Sequence, residues 1–474
     1  MFSPRRIFSR LRGALAFMKR HPLLSLFLFA SSVGIALSLR AQTRDPLAGD
    51  RPIGPVKPAL YQPAQGAYLG AAIDTSQVHG DAVASLAAQM NGFNRMAGKK
   101  QALYLHFLQF PSEGGKFGDW EHDANGWVSA QTFSTACERV GATPVLTLEP
   151  FAPKMFLDWK PGSPAFEATK SFAMGAGKWN KPVFIRFGHE MNGSWYPWAE
   201  WIDKNDDQVR QPWEATGFSG ANYVTAYRNV ASMFRRYAPN AALIWCPNSG
   251  LLGGGRFDPF RRWYPGDDVV DWVGLDVYER GFFLPKPGAH LWAGQFAFNL
   301  THDAADDPKT TQDESVGFYN VYGSVKRKPI MICETGATLS FRSDLDATER
   351  AQMNSDWKIG YWNANEYGWM QNVYGTTKDP TQQFLHPIDR EFPMIKAVLW
   401  FQIAKVEDVS AGPPGQPITK FPNAWLDYRI GGGVEPDDKG LFTRQESDVY
   451  RSLTANSYFL SDVQKTNVPR VAAR

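Results

Sequence analysis

Beyond residue 66 the chain alternates between two hydrophobic rhythms. Short runs of apolar and β-branched residues recur at AYLGAAID, QALYLHFLQF, TPVLTLEPF, PVFIRFGHE, AALIWCPNS, VDWVGLDVY, KPIMICETG and IKAVLWFQI, near-continuous stretches that suit strands buried on both faces. Between them lie segments of helical period. In GANYVTAYRNVASMFRRYAP, Tyr223, Tyr227, Val230, Met233 and Phe234 recur at three- and four-residue spacing. SAQTFSTACERVGA and LDATERAQMNSDWKIGYWNANEYGW read the same way. Alternating strand and helix predicts parallel strands joined by crossovers. Eight such units over residues 66–462 fit a (β/α)8 TIM barrel with long loop insertions. An open doubly wound sheet is the runner-up, but no Gly-rich phosphate fingerprint follows an early strand.

Each predicted strand ends in polar or aromatic groups: Asp74, Gln109, Glu149, His189-Glu190, Asn248, Asp276-Tyr278, Glu334 and Trp400-Gln402. In a barrel these C-terminal ends meet on one face, where active sites of the fold are built. Long segments follow strand six (residues 281–313) and strand eight (residues 405–433), placed to shape that face.

Charge changes the picture only at the N-terminus. Residues 1–44 hold eight basic residues and no acid, leaving 42 basic against 47 acidic residues, a net of −5, for the remainder. A slightly acidic folded part lacks the basic face that nucleic-acid binding needs. Pro22 to Leu39 is an uncharged, mostly apolar run of 18 residues preceded by basic groups. It reads as a membrane anchor with a cytoplasmic N-terminus, or as a signal peptide cut after the small residues Ala36 and Ser38. Either reading exports the rest of the chain to the periplasm or the exterior, held at the inner membrane if the segment is uncleaved. Residues 41–65 are rich in Pro and polar residues and read as a spacer, and 463–474 as a C-terminal tail. Cys137, Cys246 and Cys333 are too few and too widely spaced for a disulfide framework or a zinc site, and read as small buried residues.

The chemistry concentrates in two carboxylates. Glu190 follows the fourth predicted strand and Glu334 ends the seventh, 144 residues later, so the two can face each other across a barrel mouth. Glycosidic-bond hydrolysis uses such a pair, one acid protonating the leaving oxygen and one carboxylate attacking the anomeric carbon, ~5 Å apart in retaining enzymes. Trp, Tyr and Phe form 14% of the chain, a surplus that suits platforms for sugar rings as well as core. A zinc-protease reading of His189-Glu190 fails because Gly193 stands where a second His is required.

The stretches GHEMNGSWYPW and ICETGA resemble the two catalytic signatures of glycoside hydrolase family 26, retaining (β/α)8 enzymes of which many are β-1,4-mannanases. The resemblance implies Glu190 as acid/base and Glu334 as nucleophile. It implies a sugar-contacting or Glu190-orienting role for His189, and a hydroxyl from Tyr278 that donates to Glu334 and keeps it ionised. Trp195 and Trp400 would be platforms for sugar rings. Strand alternation points Arg186 into the barrel beneath the carboxylates, where pairing with a carboxylate and contact with sugar are equal alternatives. Glu149 departs from the resemblance, since mannan-cleaving relatives tend to place a histidine there, and it reads as a sugar contact that could select another backbone. No metal and no cofactor is called for, because two carboxylates supply both proton transfer and nucleophile. The expected partner is a polysaccharide, β-1,4-mannan or a related glucomannan first. A β-glucanase, an exopolysaccharide-processing hydrolase or transglycosylase, and a catalytically retired carbohydrate-binding protein stay open as alternatives.

Overall fold

The computed structural model describes residues 52, 56–204, 210–249, 260–279, 294–301, 317–337, 339–342, 368–380, 383–411, 419–430 and 443–466. The predicted anchor at 22–39, most of the helix expected over 345–369 and most of the strand-six insertion lie outside them. Among the described residues no helix is long and apolar enough to cross a membrane.

All eight apolar runs are strands: β1 (Ala67–Ile73), β2 (Leu103–Gln109), β3 (Thr143–Glu149), β4 (Val183–Phe187), β5 (Ala241–Trp245), β6 (Trp272–Glu279), β7 (Ile330–Ala337) and, after the short β8 (Leu339–Arg342), β9 (Ile395–Gln402). They pair in parallel in the order β1-β2-β3-β4-β5-β6-β7-β9, and β9 pairs with β1 to close the barrel. Helices α1 (Ala82–Ala97), α2 (Ala130–Arg139), α3 (Pro164–Trp179) and α4 (Gly220–Tyr237) follow β1 to β4, as the helical spacing requires. Capping explains where three of them start: Asp81, Ser129 and Ser219 each accept from a backbone N–H of the first turn. A short α5 (Gln295–Thr301) lies in the strand-six insertion, and α6 (Thr443–Thr454) completes the chain of helices.

Period-two alternation fills the barrel. Leu103 and Leu105 of β2, Ala242 and Ile244 of β5, and Ala397, Leu399 and Phe401 of β9 belong to one buried cluster. The interior is tight at β6. A Cβ on Gly274 would lie 2.8 Å from the sulfurs of both Cys246 and Cys333, so only glycine lets the neighbouring strands fill that layer. All three cysteines are free and buried, as their spacing suggested.

Two boundaries need correction. The expected spacer at 41–65 ends in packed chain: Leu60 and Tyr61 are buried, the Tyr61 hydroxyl donates to the Asn240 carbonyl at 2.8 Å, and Trp272 Nε1 donates to the Leu60 carbonyl at 2.8 Å. The tail expected from 463 is tied to the same place, since Tyr61 N donates to Thr466 O at 3.1 Å and Gln464 N to the Tyr68 hydroxyl at 2.9 Å. Composition missed this because three residues, Ala59-Leu60-Tyr61, suffice to plug the N-terminal end of the barrel inside a Pro-rich run. The insertion after β9 is not featureless either. Its β10 (Ala404–Ala411) and β11 (Thr419–Asp427) pair antiparallel, and β11 pairs with β8 in a separate three-stranded sheet.

Candidate active site

The chain leaves β4 through Gly188 at φ +55° and turns again at Glu190, a non-glycine residue at φ +52°. Surrounding bonds hold this unusual conformation. Glu190 N donates to Cys246 O at 2.8 Å, and the Asn192 side chain bonds the backbone of Asn248 twice, donating through Nδ2 to its carbonyl and accepting at Oδ1 from its N–H, both at 2.9 Å. The Asn of HEMNG therefore rivets the loop to the end of β5. Asn248 in turn donates through Nδ2 to Glu190 Oε1 at 2.5 Å, and Trp195 donates through Nε1 to Oε2 at 2.8 Å. Glu190 is 7% exposed.

Glu334 reaches the mouth by a bulge. Leu275 pairs with Ile332 but Asp276 pairs with Glu334, so β7 carries one residue more than β6 at this point. Cys333 and Glu334 consequently both face the barrel axis, where simple alternation would turn one outward. Arg186 Nη2 donates to Glu334 Oε1, and the Tyr278 hydroxyl donates to Oε2 at 2.7 Å. Arg186 also donates through Nη1 to both oxygens of Asp276 at 2.9 and 3.0 Å, and through Nε to Thr147 Oγ1 at 2.8 Å. Burial works against the guanidinium charge, but Asp276 and Glu334 hold its pKa above the ordinary value. Burial first, then the neighbouring Glu334, pushes the Tyr278 phenol well up, so it stays a donor.

His189 is a correction. It is 1% exposed, which leaves no surface for sugar contact, and its Nε2 faces the Tyr196 hydroxyl at 3.2 Å and Glu334 at 3.9 Å. Burial, followed by the positive charges of Arg186 and Lys405, holds the imidazole well below its usual pKa and hence neutral. Arg186 is fully buried, so of its two alternatives the carboxylate pairing is the one the structure shows, and the substrate-binding assignment falls. Trp400 is a third correction. It is fully buried on the outside of the barrel, bonded through Nε1 to Tyr428 O at 2.7 Å, and Phe401 is its inward neighbour, with its ring centroid 5.7 Å from that of Tyr278. In β9 it is Ala397, Leu399 and Phe401 that face the interior, one residue out of phase with Trp400. Trp195, 38% exposed, does present a face to solvent, while Trp198 and Trp201 are buried packing.

Tyr196, Asn248, Asn192 and Asp276 are functional neighbours that carried no assigned role in the sequence. The strand-end positions of Asn248 and Asp276 placed them at the mouth, but their partners come from distant strands. Two groups of three buried metal-ligand types occur among the described residues, Cys246-Asp276-Cys333 and His189-Asp276-Glu334. Asp276 belongs to both, and the Arg186 guanidinium already supplies its positive charge.

Glu149 ends β3, level with Gln109 of β2, and is half-buried. Its carboxyl takes no hydrogen bond or ion pair among the described residues. Burial raises its pKa to about 8; Arg186 opposes the shift, and Glu334 and Glu190 add to it. The folded chain thus holds this proton far above the ordinary glutamate range. Its contribution to stability is full below about 4.5 and is lost as pH rises through about 8. Thermal denaturation across pH should therefore show Glu149→Gln gaining on the wild type from pH 5 to pH 9. A constant difference across that range would contradict the shift.

Residues 176–288, which include Glu190 and Tyr278 and stop short of Glu334, match the family described as Glycosyl hydrolase family 26. The resemblance read from the HEMNG stretch is thereby borne out over that segment. Endoglucanase H of Acetivibrio thermocellus is 27% identical over 193 residues, 40% of this chain and 18% of its own length. Beta-1,3-xylanase TXYA of a Vibrio species is 30% identical over 110 residues, 22% of this chain and 18% of its own length. The chain thus spans less than a fifth of either relative. The catalytic domain of the endo-beta-1,4-mannanase of Bacillus sp. JAMB-750 superposes with a TM-score of 0.46 at 14% identity, covering 85% of this chain and 90% of that one.

Proposed function

We propose that this chain, similar to glycoside hydrolase family 26, is a retaining endo-glycosidase that cleaves a β-linked polysaccharide with Glu190 as acid/base and Glu334 as nucleophile. One observation carries the reading: two carboxyls at the ends of β4 and β7 sit in the same barrel mouth in two different hydrogen-bonding environments. Glu334 lies between a guanidinium and a phenol, whose donors fix its two oxygens in place. Glu190 accepts from the Asn248 amide and from the exposed indole of Trp195.

In the first step Glu334 attacks the anomeric carbon while Glu190 delivers its proton to the departing glycosidic oxygen. In the second, Glu190 takes a proton from water, whose oxygen displaces Glu334 and releases the sugar with its original configuration. Asp276 and His189 act through others. Asp276 holds Arg186, and neutral His189 fills the space beneath Glu334 without adding charge.

β-1,4-mannan or a related glucomannan is the first substrate. The names of the relatives (endoglucanase, β-1,3-xylanase, β-1,4-mannanase) span three backbones, and Glu149 offers a neutral carboxyl at the mouth that would discriminate among them. Export, with the chain tethered by residues 22–39 or released, belongs to the same proposal; protection of the catalytic part from added protease in spheroplasts would refute it. The function is tested by incubating the purified full chain with mannan, glucomannan, mixed-linkage β-glucan and β-1,3-xylan and measuring new reducing ends. Cleavage of at least one is expected. Binding without cleavage of any would make the chain a retired carbohydrate-binding protein, and products longer than the substrate would show transfer to an acceptor sugar.

A further inference from the structure

The bond from Trp195 to Glu190 depends on a glycine between them. The indole lies edge-down on Gly193: a Cβ there would be 2.5 Å from Trp195 Cη2 and Cζ2 and 2.8 Å from Cε2, inside any tolerated contact. From that seat the same ring presents Nε1 to Glu190 Oε2 at 2.8 Å. The short segment is otherwise braced, since Gly193 N donates to Glu190 O at 3.0 Å and Asp203 N to Ser194 O at 2.8 Å. The indole therefore has little freedom to recover its bond if it is lifted.

We infer that Gly193 and Trp195 form a positioning unit for Glu190: the bare Cα of Gly193 seats the indole, and the indole N–H aims the carboxyl and favours its ionised form. This rests on the acid/base role proposed above and adds a consequence for it. The ionised form is the one that takes the proton from water in the second step, whereas the first step needs the proton in place. A donor fixed to Oε2 weights the pair of roles toward the base, and Trp195 does this in addition to offering a face to sugar.

The unit has a signature that a stacking platform lacks. In Trp195→Phe the ring is kept and the donor is lost, so the alkaline limb of kcat/KM on the polymer cleaved should move up by about one pH unit, the scale of a single charged hydrogen bond. Gly193→Ala should shift it in the same direction by lifting the indole. Loss of a platform alone would raise KM and leave the limb in place, which would overturn the inference. A readout free of substrate is the indole N–H resonance of Trp195, identified by its disappearance in Trp195→Phe. In the wild type it should titrate with Glu190. It should cease to titrate in Glu190→Gln and be displaced in Gly193→Ala. A resonance indifferent to Glu190→Gln overturns the inference whether or not Gly193→Ala folds. If Glu190→Gln keeps full activity on the polymer, the acid/base assignment fails instead, and the two failures are distinct.

Discussion

Glu334→Ala is expected to lower kcat on the polymer cleaved by at least about 10⁴-fold, because no other carboxyl in the mouth can replace the covalent step. Substitution of Glu334 should be more severe than substitution of Glu190, because only Glu334 forms the covalent bond itself. Its two oxygens are each held by a different donor, the buried Arg186 and the half-buried Tyr278, so water that enters the vacated space meets those donors and is not aimed at an anomeric carbon. Glu190→Ala should cost ~10²–10⁴-fold on the natural glycan. On an aryl glycoside whose leaving group departs without a proton, its first step should be nearly intact and the covalent intermediate should accumulate. Mass spectrometry of the quenched Glu190→Ala protein would then find a glycosyl group on the peptide containing Glu334. A glycosyl group elsewhere, or turnover by Glu334→Ala at the wild-type rate, would end the assignment.

Arg186→Met is expected to be the most destabilising single change at the site, by roughly 3–5 kcal/mol, because it strands carboxylates that the barrel interior cannot solvate. The side chains of Arg186 and Asp276 are both 0% exposed and that of Glu334 is 7% exposed, so neither acid can turn to bulk water. Lys is a poor substitute, since a single ammonium cannot reproduce the fork that reaches Asp276 through Nη1, Glu334 through Nη2 and Thr147 through Nε. The double change Arg186→Met with Asp276→Asn removes one stranded charge and should recover part of the lost stability in urea denaturation. It should recover little activity, because Glu334 still lacks its guanidinium. A loss under about 1 kcal/mol for Arg186→Met would show that the pair is not uncompensated without it. Equal recovery of stability and activity in the double variant would show that Arg186 serves only Asp276.

The barrel was legible because its strands are written as separate apolar runs and parallel pairing leaves them buried on both faces, so each run announces itself without reference to a partner. The strand ends were legible for the same reason: on this fold they share one face whatever the loops do. Assignments failed where orientation depended on phase. Trp400 and Phe401 are both apolar and adjacent, and in a strand buried on both sides nothing in composition says which of the two enters the barrel. Its neighbours decide: Tyr374 and Tyr450 pack around Trp400 outside, and Tyr278 and Tyr428 meet Phe401 inside. The short apolar stretch at Ala59-Leu60-Tyr61 failed for a related reason, since a plug of three residues has no period to detect.

Local hydrophobic pattern and motifs of a few residues were enough to specify the scaffold and to put Glu190 and Glu334 at two strand ends. How those groups are presented depends on the closed barrel. The extra residue that turns Glu334 inward exists only as a mismatch of register between β7 and its two neighbours, and no single strand contains that information. The partners of each carboxyl, Trp195 and Asn248 for one, Arg186 and Tyr278 for the other, arrive mostly from other strands, so long-range closure of the barrel sets the electrostatics that the motif alone leaves open.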